Sequence, residues 1–162
     1  MVFQSYDLFP NLTVLDNITL GPVKVQKREL NEVKSEAHQL LKSVGLDEYA
    51  DVYPRQLSGG QKQRVAIVRA LALHPEFMLF DEVTASLDPE MVRGVLDIIV
   101  NLANHDHMTM IVVTHEMNFA KQIADRVVFL EDGKILEQTP ANQFFSDPAT
   151  DRAREFLESM DF

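Results

Sequence analysis

The chain has 162 residues, 46% of them hydrophobic, and a formal net charge of −10 at pH 7. This length and apolar content suit a single domain with a buried core. The acidic balance disfavours nucleic acid and anionic lipid as partners, and the absence of cysteine excludes disulfides and thiolate metal sites. No apolar run approaches the roughly 18 residues that a membrane span needs.

The amino-terminal half predicts helices that are separated by breaking residues. Residues 5–17 predict a loop followed by a short helix, which either Thr13 or Asp16 could cap. Apolar residues at helical spacing over residues 30–44 predict an amphipathic helix, and a further helix is predicted over about residues 60–73.

The carboxy-terminal half predicts strands that alternate with helices. Three apolar runs have the length of strands: residues 77–80, 109–114 and 126–130. Asp88 and Pro89 predict a helix start after the first run, and the alternation indicates parallel strands with right-handed crossovers. Asp132 and Gly133 indicate a hairpin after the third run, and two short helices are predicted beyond residue 140.

Two motifs carry the functional signal. Residues 57–64 read LSGGQKQR, where a Ser-Gly-Gly turn opens a helix, and the free backbone N–H groups of a helix N-terminus suit a phosphate. Residues 77–82 read FMLFDE, a buried-strand pattern that ends in Asp81 and Glu82. Acids at the carboxyl end of a parallel strand usually face a ligand crevice.

These motifs are followed by SLD and by a histidine after a second apolar run, and the whole series resembles the signature and Walker B motifs of ABC transporter ATP-binding subunits. The segments VFQSYDLFP, YPRQLSGGQKQR and VTHEM resemble the polar amino acid uptake subfamily. The resemblance implies an α/β fold: a P-loop NTPase-like parallel sheet flanked by helices. It places a helical subdomain over about residues 18–75, core strands over 76–138 and carboxy-terminal helices over 139–162.

The chain contains no P-loop. The motif G-x-x-x-x-G-K-[ST] holds the β- and γ-phosphates of ATP, and only Gly133 among the six glycines precedes a lysine, without the rest of the motif. The family places this loop before the segment where the chain begins, so we expect the P-loop strand and the β-subdomain to be absent. In the family that strand lies between the strands that end at His115 and begin at Arg126. We therefore expect two exposed apolar edges, and a chain that alone is aggregation-prone and inactive.

The resemblance also assigns roles to single residues. Asp81 would hold Mg²⁺, Glu82 would be the general base for the attacking water, and Gln4 would reach both metal and water. His115 would contact the γ-phosphate and support Glu82, and Asp88 would belong to the D-loop, which crosses to a sister subunit. Without their context, these residues have ordinary structural alternatives, such as a solvated acid, a helix cap or a packed histidine.

The signature residues would act on a second subunit. In the family these residues close over the γ-phosphate held by the opposite P-loop: Ser58, Gly59, Gly60 and Gln61. The resemblance thus implies ATP and Mg²⁺ as cofactors and a second ATP-binding subunit as partner. It further implies permease subunits docked near residues 5–17, an indirect link to a substrate-binding protein, no nucleic acid, and a place on the cytoplasmic face of the membrane.

Three interpretations of function stay open. The first is the ATPase subunit of a polar amino acid importer, seen as a truncated product. The second is a non-catalytic module that binds a partner subunit, and the third is an ABC ATPase with a different cargo. The amino acid transported cannot be identified from this chain. The other histidines are interpreted as surface or structural residues: His38, His74, His105 and His107.

Overall fold

The computed structural model describes residues 1–104 and 108–160, so His105 and His107 lie outside the described residues. The chain divides into two compact units, Met1–Val113 and Thr114–Phe162. Across the described ranges, no helix has the length and apolarity that crossing a membrane requires.

The helices of the first unit follow the predicted pattern closely. They are α1 (Val14–Lys24), α2 (Leu30–Ser43), α3 (Gly59–Leu71) and α4 (Pro89–Asn104). The Thr13 hydroxyl accepts the backbone N–H of Asp16 at 3.1 Å, which decides between the two predicted caps of α1. Gly45 follows α2 with φ +70°, the left-handed conformation that commonly ends a helix. Helix α3 ends two residues earlier than predicted.

Helices α1, α2 and α3 share a core built from one apolar face of each. Its fully buried members are Val14, Ile18, Ala37, Leu41, Val65 and Val68. Each large aliphatic side chain buried in this way contributes about 1.5–3 kcal/mol to stability. The core fixes where α3, and therefore the Ser-Gly-Gly turn, lies in the first unit.

The first unit also contains two parallel strands. Strand β1 (Phe77–Asp81) pairs in parallel with β2 (Thr109–Val113), and α4 connects them, so this predicted crossover unit is confirmed. On the other edge of β1, the Val2 N–H donates to the Leu79 carbonyl at 2.8 Å, and the Asp81 N–H donates to the Val2 carbonyl at 3.0 Å. Strand β1 is thus central among three parallel segments.

One face of this strand pair is apolar and exposed. Met78 and Phe80 are buried, whereas Phe77, Ile111 and Val113 are 57%, 63% and 51% exposed. Parallel strands are normally covered on both faces. Among the described residues β2 pairs only with β1, so β2 has one of the two unpaired apolar edges that the resemblance implies.

The second unit is a hairpin with short helices. Its elements are α5 (Met117–Ile123), β3 (Arg126–Glu131), β4 (Lys134–Pro140), α6 (Ala141–Ser146) and α7 (Asp151–Glu158). Strands β3 and β4 are antiparallel, and Asp132 and Gly133 between them both have positive φ, which confirms the predicted hairpin turn. The alternating pattern also predicts β3 in the parallel sheet, but within the described ranges β3 pairs only with β4. The family order, which puts the P-loop strand between β2 and β3, gives these two strands no direct pairing.

A buried carboxylate fastens α7 to β4. Glu137 is 5% exposed and accepts the backbone N–H groups of Ala149 at 2.9 Å and Thr150 at 3.0 Å, together with the Thr150 hydroxyl at 3.1 Å. Burial alone would raise the pKa of Glu137. The hydrogen bonds outweigh burial and hold this pKa below the ordinary glutamate value.

Candidate nucleotide site

The Ser-Gly-Gly turn opens α3 with a capping box. The Ser58 hydroxyl accepts the Gln61 backbone N–H at 3.3 Å, and the Gln61 side-chain Oε1 accepts the Ser58 N–H at 2.8 Å. The Gln61 side chain is therefore turned back onto the start of its own helix. The first turn of a helix leaves N–H groups without intrahelical acceptors, and here that turn contains Gly59 and Gly60.

Both glycines also have a packing role that their sequence context did not predict. A Cβ on Gly59 would lie 3.0 Å from the Tyr6 hydroxyl and 3.2 Å from the Leu87 side chain. A Cβ on Gly60 would lie 3.0 Å from the Cβ of Met91 on α4. The glycines thus let the start of α3 approach two neighbouring segments closely.

The loop that contains Gln4 is held by α3. We call residues 3–8 the Gln4 loop. The Arg69 guanidinium donates to the backbone carbonyls of Asp7 at 2.6 Å and Tyr6 at 3.2 Å. Tyr6 and Asp7 have φ of +61° and +49°, a conformation that non-glycine residues rarely adopt. One turn into α3, the buried Gln63 donates from Nε2 to the Phe3 carbonyl at 3.2 Å.

The segment after β1 contacts the same loop. The Ser86 hydroxyl donates to the Gln4 carbonyl at 3.2 Å and lies 3.2 Å from the Tyr6 hydroxyl. An open cleft of about 470 Å³ is lined by Phe3, Gln4, Ser5, Tyr6, Asp81 and Ser86. The structure therefore brings Gln4 and Asp81, which the sequence analysis pairs at a metal, to one cleft.

Glu82 has an unusual backbone conformation. Its φ is +48°, and its N–H donates to the Val113 carbonyl of β2 at 3.0 Å. A left-handed non-glycine residue costs about 1–3 kcal/mol, and such residues cluster at functional sites. Asp88 is exposed at the start of α4, where its carbonyl accepts the Met91 N–H at 2.8 Å.

His115 lies in the second unit, after β2. Its ring is 54% exposed, and its Nε2 lies 3.8 Å from a Glu116 carboxylate oxygen. Two further histidines lie at the surface beside carboxylates, His38 with Asp47 at 2.6 Å and His74 with Glu36 at 2.5 Å. Of the predicted site residues, all except His115 lie in the first unit.

The donors in the cleft suit Mg²⁺ bound together with a phosphate. Within residues 1–104 and 108–160, no three His, Asp or Glu side chains are grouped as a metal site. Mg²⁺ commonly uses only one or two protein oxygens, with water and substrate phosphates completing its coordination. Asp81 and Gln4 line one cleft, and a carboxylate and an amide oxygen are the donor types that fit that requirement.

A loop near the surface is organised by one buried amide. Asn17, on α1, accepts the Phe9 N–H at 2.8 Å and donates to the carbonyls of Phe9 at 3.1 Å and Thr13 at 2.9 Å. The Phe9 side chain is 50% exposed beside Pro10. The burial of Asn17 was not predicted, although its position three residues after Val14 places it on the apolar face of α1.

The family comparison matches this part of the chain. The model of the ABC transporter family, described as "ABC transporter", matches residues 1–85, just over half of the chain. The chain belongs to the ABC transporter family. The matched region contains the Gln4 loop, the signature turn at Ser58, Asp81 at the end of β1 and Glu82 directly after it. Every predicted site residue that precedes Asp88 thus lies within the segment that matches the ABC transporter family.

Two relatives extend the similarity to nearly the whole chain. The glutamate transport ATP-binding protein GluA of Corynebacterium efficiens is 57% identical over 157 residues, which are 97% of this chain and 64% of GluA. The glutamate/aspartate import ATP-binding protein GltL of Escherichia coli (strain K12) is 55% identical over 160 residues, 99% of this chain and 66% of GltL. The chain therefore spans 64–66% of the length of these ABC transporter proteins.

A solved ABC structure confirms the fold class. The dimeric ATP-binding cassette MJ0796 in a post-hydrolysis state, bound to ADP and Pi, superposes with a TM-score of 0.75 at 36% identity. The superposition covers 86% of this chain and 61% of the MJ0796 chain. The predicted α/β ABC fold is thus confirmed for most of the chain.

Proposed function

We propose that this chain is part of the ATP-binding subunit of an ABC importer for polar amino acids. The observation that carries the proposal is the shared cleft of Gln4 and Asp81, with the signature helix α3 bonded to the same loop. The names of GluA and GltL, both acidic amino acid transport ATP-binding proteins, support the cargo class.

Two cleft residues, together with Glu82 and His115 of the family motifs, would divide the chemistry of ATP hydrolysis among them. Asp81 and Gln4 would hold Mg²⁺, which when bound neutralises phosphate charge. Glu82 would take the proton of the attacking water, an effect worth about 10²–10⁴ in rate. Its left-handed backbone, bonded to β2 through the Val113 carbonyl, supports a fixed position for this carboxylate. His115 would contact the γ-phosphate.

The signature turn would serve a nucleotide bound to a second ATP-binding subunit. Gly59 and Gly60 place backbone N–H groups in the first turn of α3, where a γ-phosphate of the partner's ATP would be bound. The dimer of MJ0796 supports such a pair of subunits. Asp88, exposed at the start of α4, would belong to the segment that crosses to the partner.

The loop fixed by Asn17 would receive a permease subunit. The Phe9 side chain is half exposed, although both the N–H and the carbonyl of Phe9 are hydrogen-bonded to the Asn17 side chain. A rigid loop that presents an aromatic side chain suits docking against another protein. Attachment to the cytoplasmic face of the membrane, and the indirect link to a substrate-binding protein, would follow from this contact.

A fusion protein tests the proposed activity. The part of GltL that this chain does not match, which by the family pattern carries the P-loop, is joined ahead of Met1. We expect this fusion protein to hydrolyse ATP only with Mg²⁺, and the 162-residue chain alone to be inactive. Glu82→Gln should abolish turnover, whereas Glu90→Gln, a matched change of an exposed acid on α4, should not.

The control results separate the remaining interpretations. A fusion protein that folds and binds ATP but does not hydrolyse it would contradict the proposal and favour a non-catalytic module. Stimulation of the ATPase by permease subunits of a different transport class, and not by amino acid permease subunits, would show that the importer carries a different cargo.

A further inference from the structure

We propose that Gln63 is a positioning residue, which ties the conformation of Gln4 to the signature helix. The side chain of Gln63 is fully buried on α3, one turn after the Ser-Gly-Gly start. Its Nε2 donates to the Phe3 carbonyl at 3.2 Å, while its Oε1 has no donor among the described residues. The inference rests on the proposed function, because Gln4 is assigned there to the metal and the water.

The burial of Gln63 is not explained by stability. A buried amide oxygen without a donor is unfavourable, and an apolar side chain of the same shape would avoid that loss. Gly60 and Ile67 lie three residues before and four residues after Gln63, and both are buried. The position therefore belongs to the apolar face of α3, where the one interaction specific to glutamine is the bond to Phe3.

That bond acts on the peptide unit next to Gln4. The Phe3 carbonyl and the Gln4 N–H belong to the same planar group, so a donor on the carbonyl fixes the orientation of the plane that enters Gln4. On the other side, the Ser86 hydroxyl donates to the Gln4 carbonyl at 3.2 Å. The backbone of Gln4 is thus held from α3 on one side and from the segment after Glu82 on the other.

In the proposed dimer, each chain contributes to two ATP sites, and this arrangement would connect its two contributions. Gln4 faces the site of its own subunit, whereas the start of α3 would contact the phosphate of the partner subunit. A displacement of α3 would pass to Gln4 through Gln63. Loss of the bond should therefore lower turnover while leaving the binding of ATP, which depends on the P-loop, nearly unchanged.

The test compares Gln63→Met with Gln26→Met in the fusion protein. Gln26 is a matched control, because its Nε2 also donates to a backbone carbonyl, that of Leu73 at 2.8 Å. We expect Gln63→Met to lower kcat about 10- to 100-fold, with KM for ATP within about twofold and Tm within about 3 °C. Gln63→Glu should regain turnover as the pH falls, because a protonated carboxyl donates to Phe3 as the amide does, and burial raises its pKa.

Hydrogen exchange gives a measurement that does not depend on ATP hydrolysis. In the fusion protein without ATP, Gln63→Met should speed amide exchange in the Gln4 loop, while Gln26→Met should leave that loop unchanged. Unchanged exchange together with unchanged kcat would overturn the inference, as would a fall in kcat that only follows a fall in Tm. If the unsubstituted fusion protein lacks ATPase activity, the proposed function fails, and the exchange result still decides the role of Gln63.

Discussion

Arg69 on α3 donates a 2.6 Å hydrogen bond to the backbone carbonyl of Asp7 in the Gln4 loop. A second bond from the same guanidinium reaches the Tyr6 carbonyl at 3.2 Å, and both loop residues have positive φ. Each such conformation costs about 1–3 kcal/mol and persists only where neighbouring groups hold it. Arg69 thus constrains a strained part of the loop from outside it.

We expect Arg69→Met to destabilise the fusion protein by about 1.5–3 kcal/mol, because two hydrogen bonds from a charged donor are lost. Arg69→Lys should recover only part of the loss, since an ammonium lacks the planar fork that reaches two carbonyls. Urea denaturation measures both changes. Arg93→Met, at an exposed position on α4, is the control and should change stability by less than about 0.5 kcal/mol. Equal effects at the two arginines would contradict the role of Arg69.

The two glycines on neighbouring helices should respond in opposite directions to alanine. Gly60→Ala should destabilise the fusion protein by about 1–3 kcal/mol, because the added Cβ would lie 3.0 Å from the Cβ of Met91. Gly94→Ala on α4 meets no atom within 4 Å and should stabilise by about 0.5–1 kcal/mol. Thermal unfolding of both variants checks the pair, and a neutral Gly60→Ala would show that the packing argument is wrong.

Glu137 should make stability sensitive to acid. Its pKa is lowered in the folded chain, so its stabilising contribution is fully present above the unfolded-state pKa and is lost as the pH falls through the folded-state pKa. The relevant window therefore lies below the ordinary glutamate pKa of about 4.3. Urea denaturation of the fusion protein between neutral and acidic pH should show a smaller fall in stability for Glu137→Gln than for the unsubstituted protein. Parallel curves would contradict the assignment.

The 162-residue chain alone should self-associate. Phe77, Ile111 and Val113 form an exposed apolar strand face, and such surfaces favour aggregation. Light scattering should report oligomers at micromolar concentration, and Ile111→Lys should reduce them. The prediction is contradicted by a soluble monomer with one cooperative thermal transition.

Local signals in the sequence predicted much of the fold. Thr13, one of the two caps predicted for α1, caps that helix, the Ser-Gly-Gly turn opens α3, and Asp132 with Gly133 forms the hairpin turn, because caps and tight turns depend on the chemistry of a few adjacent residues. The hairpin of β3 with β4 was predicted, but the alternating pattern also placed β3 in the parallel sheet, and among the described residues β3 pairs only with β4. Strand order depends on contacts between distant segments, which a local pattern does not specify.

The site was predicted less completely than the fold. The motifs located Gln4 and Asp81, and the structure brings them to one cleft. The burial of Gln63 and the positive φ of Glu82 were missed. The helical spacing from Gly60 could have predicted that Gln63 is buried. The positive φ of Glu82 could not be predicted, because the neighbouring strand imposes it and the residue type does not indicate it.

The most direct test of the account is Mg²⁺-dependent ATP turnover by the fusion protein and by its Glu82→Gln variant. We predict turnover for the unsubstituted protein and a loss of at least about 100-fold on Glu82→Gln, with ATP binding retained. Turnover that is unchanged by Glu82→Gln, or a folded fusion protein that binds ATP without hydrolysing it, would contradict the assignment of this chain to an ATPase subunit.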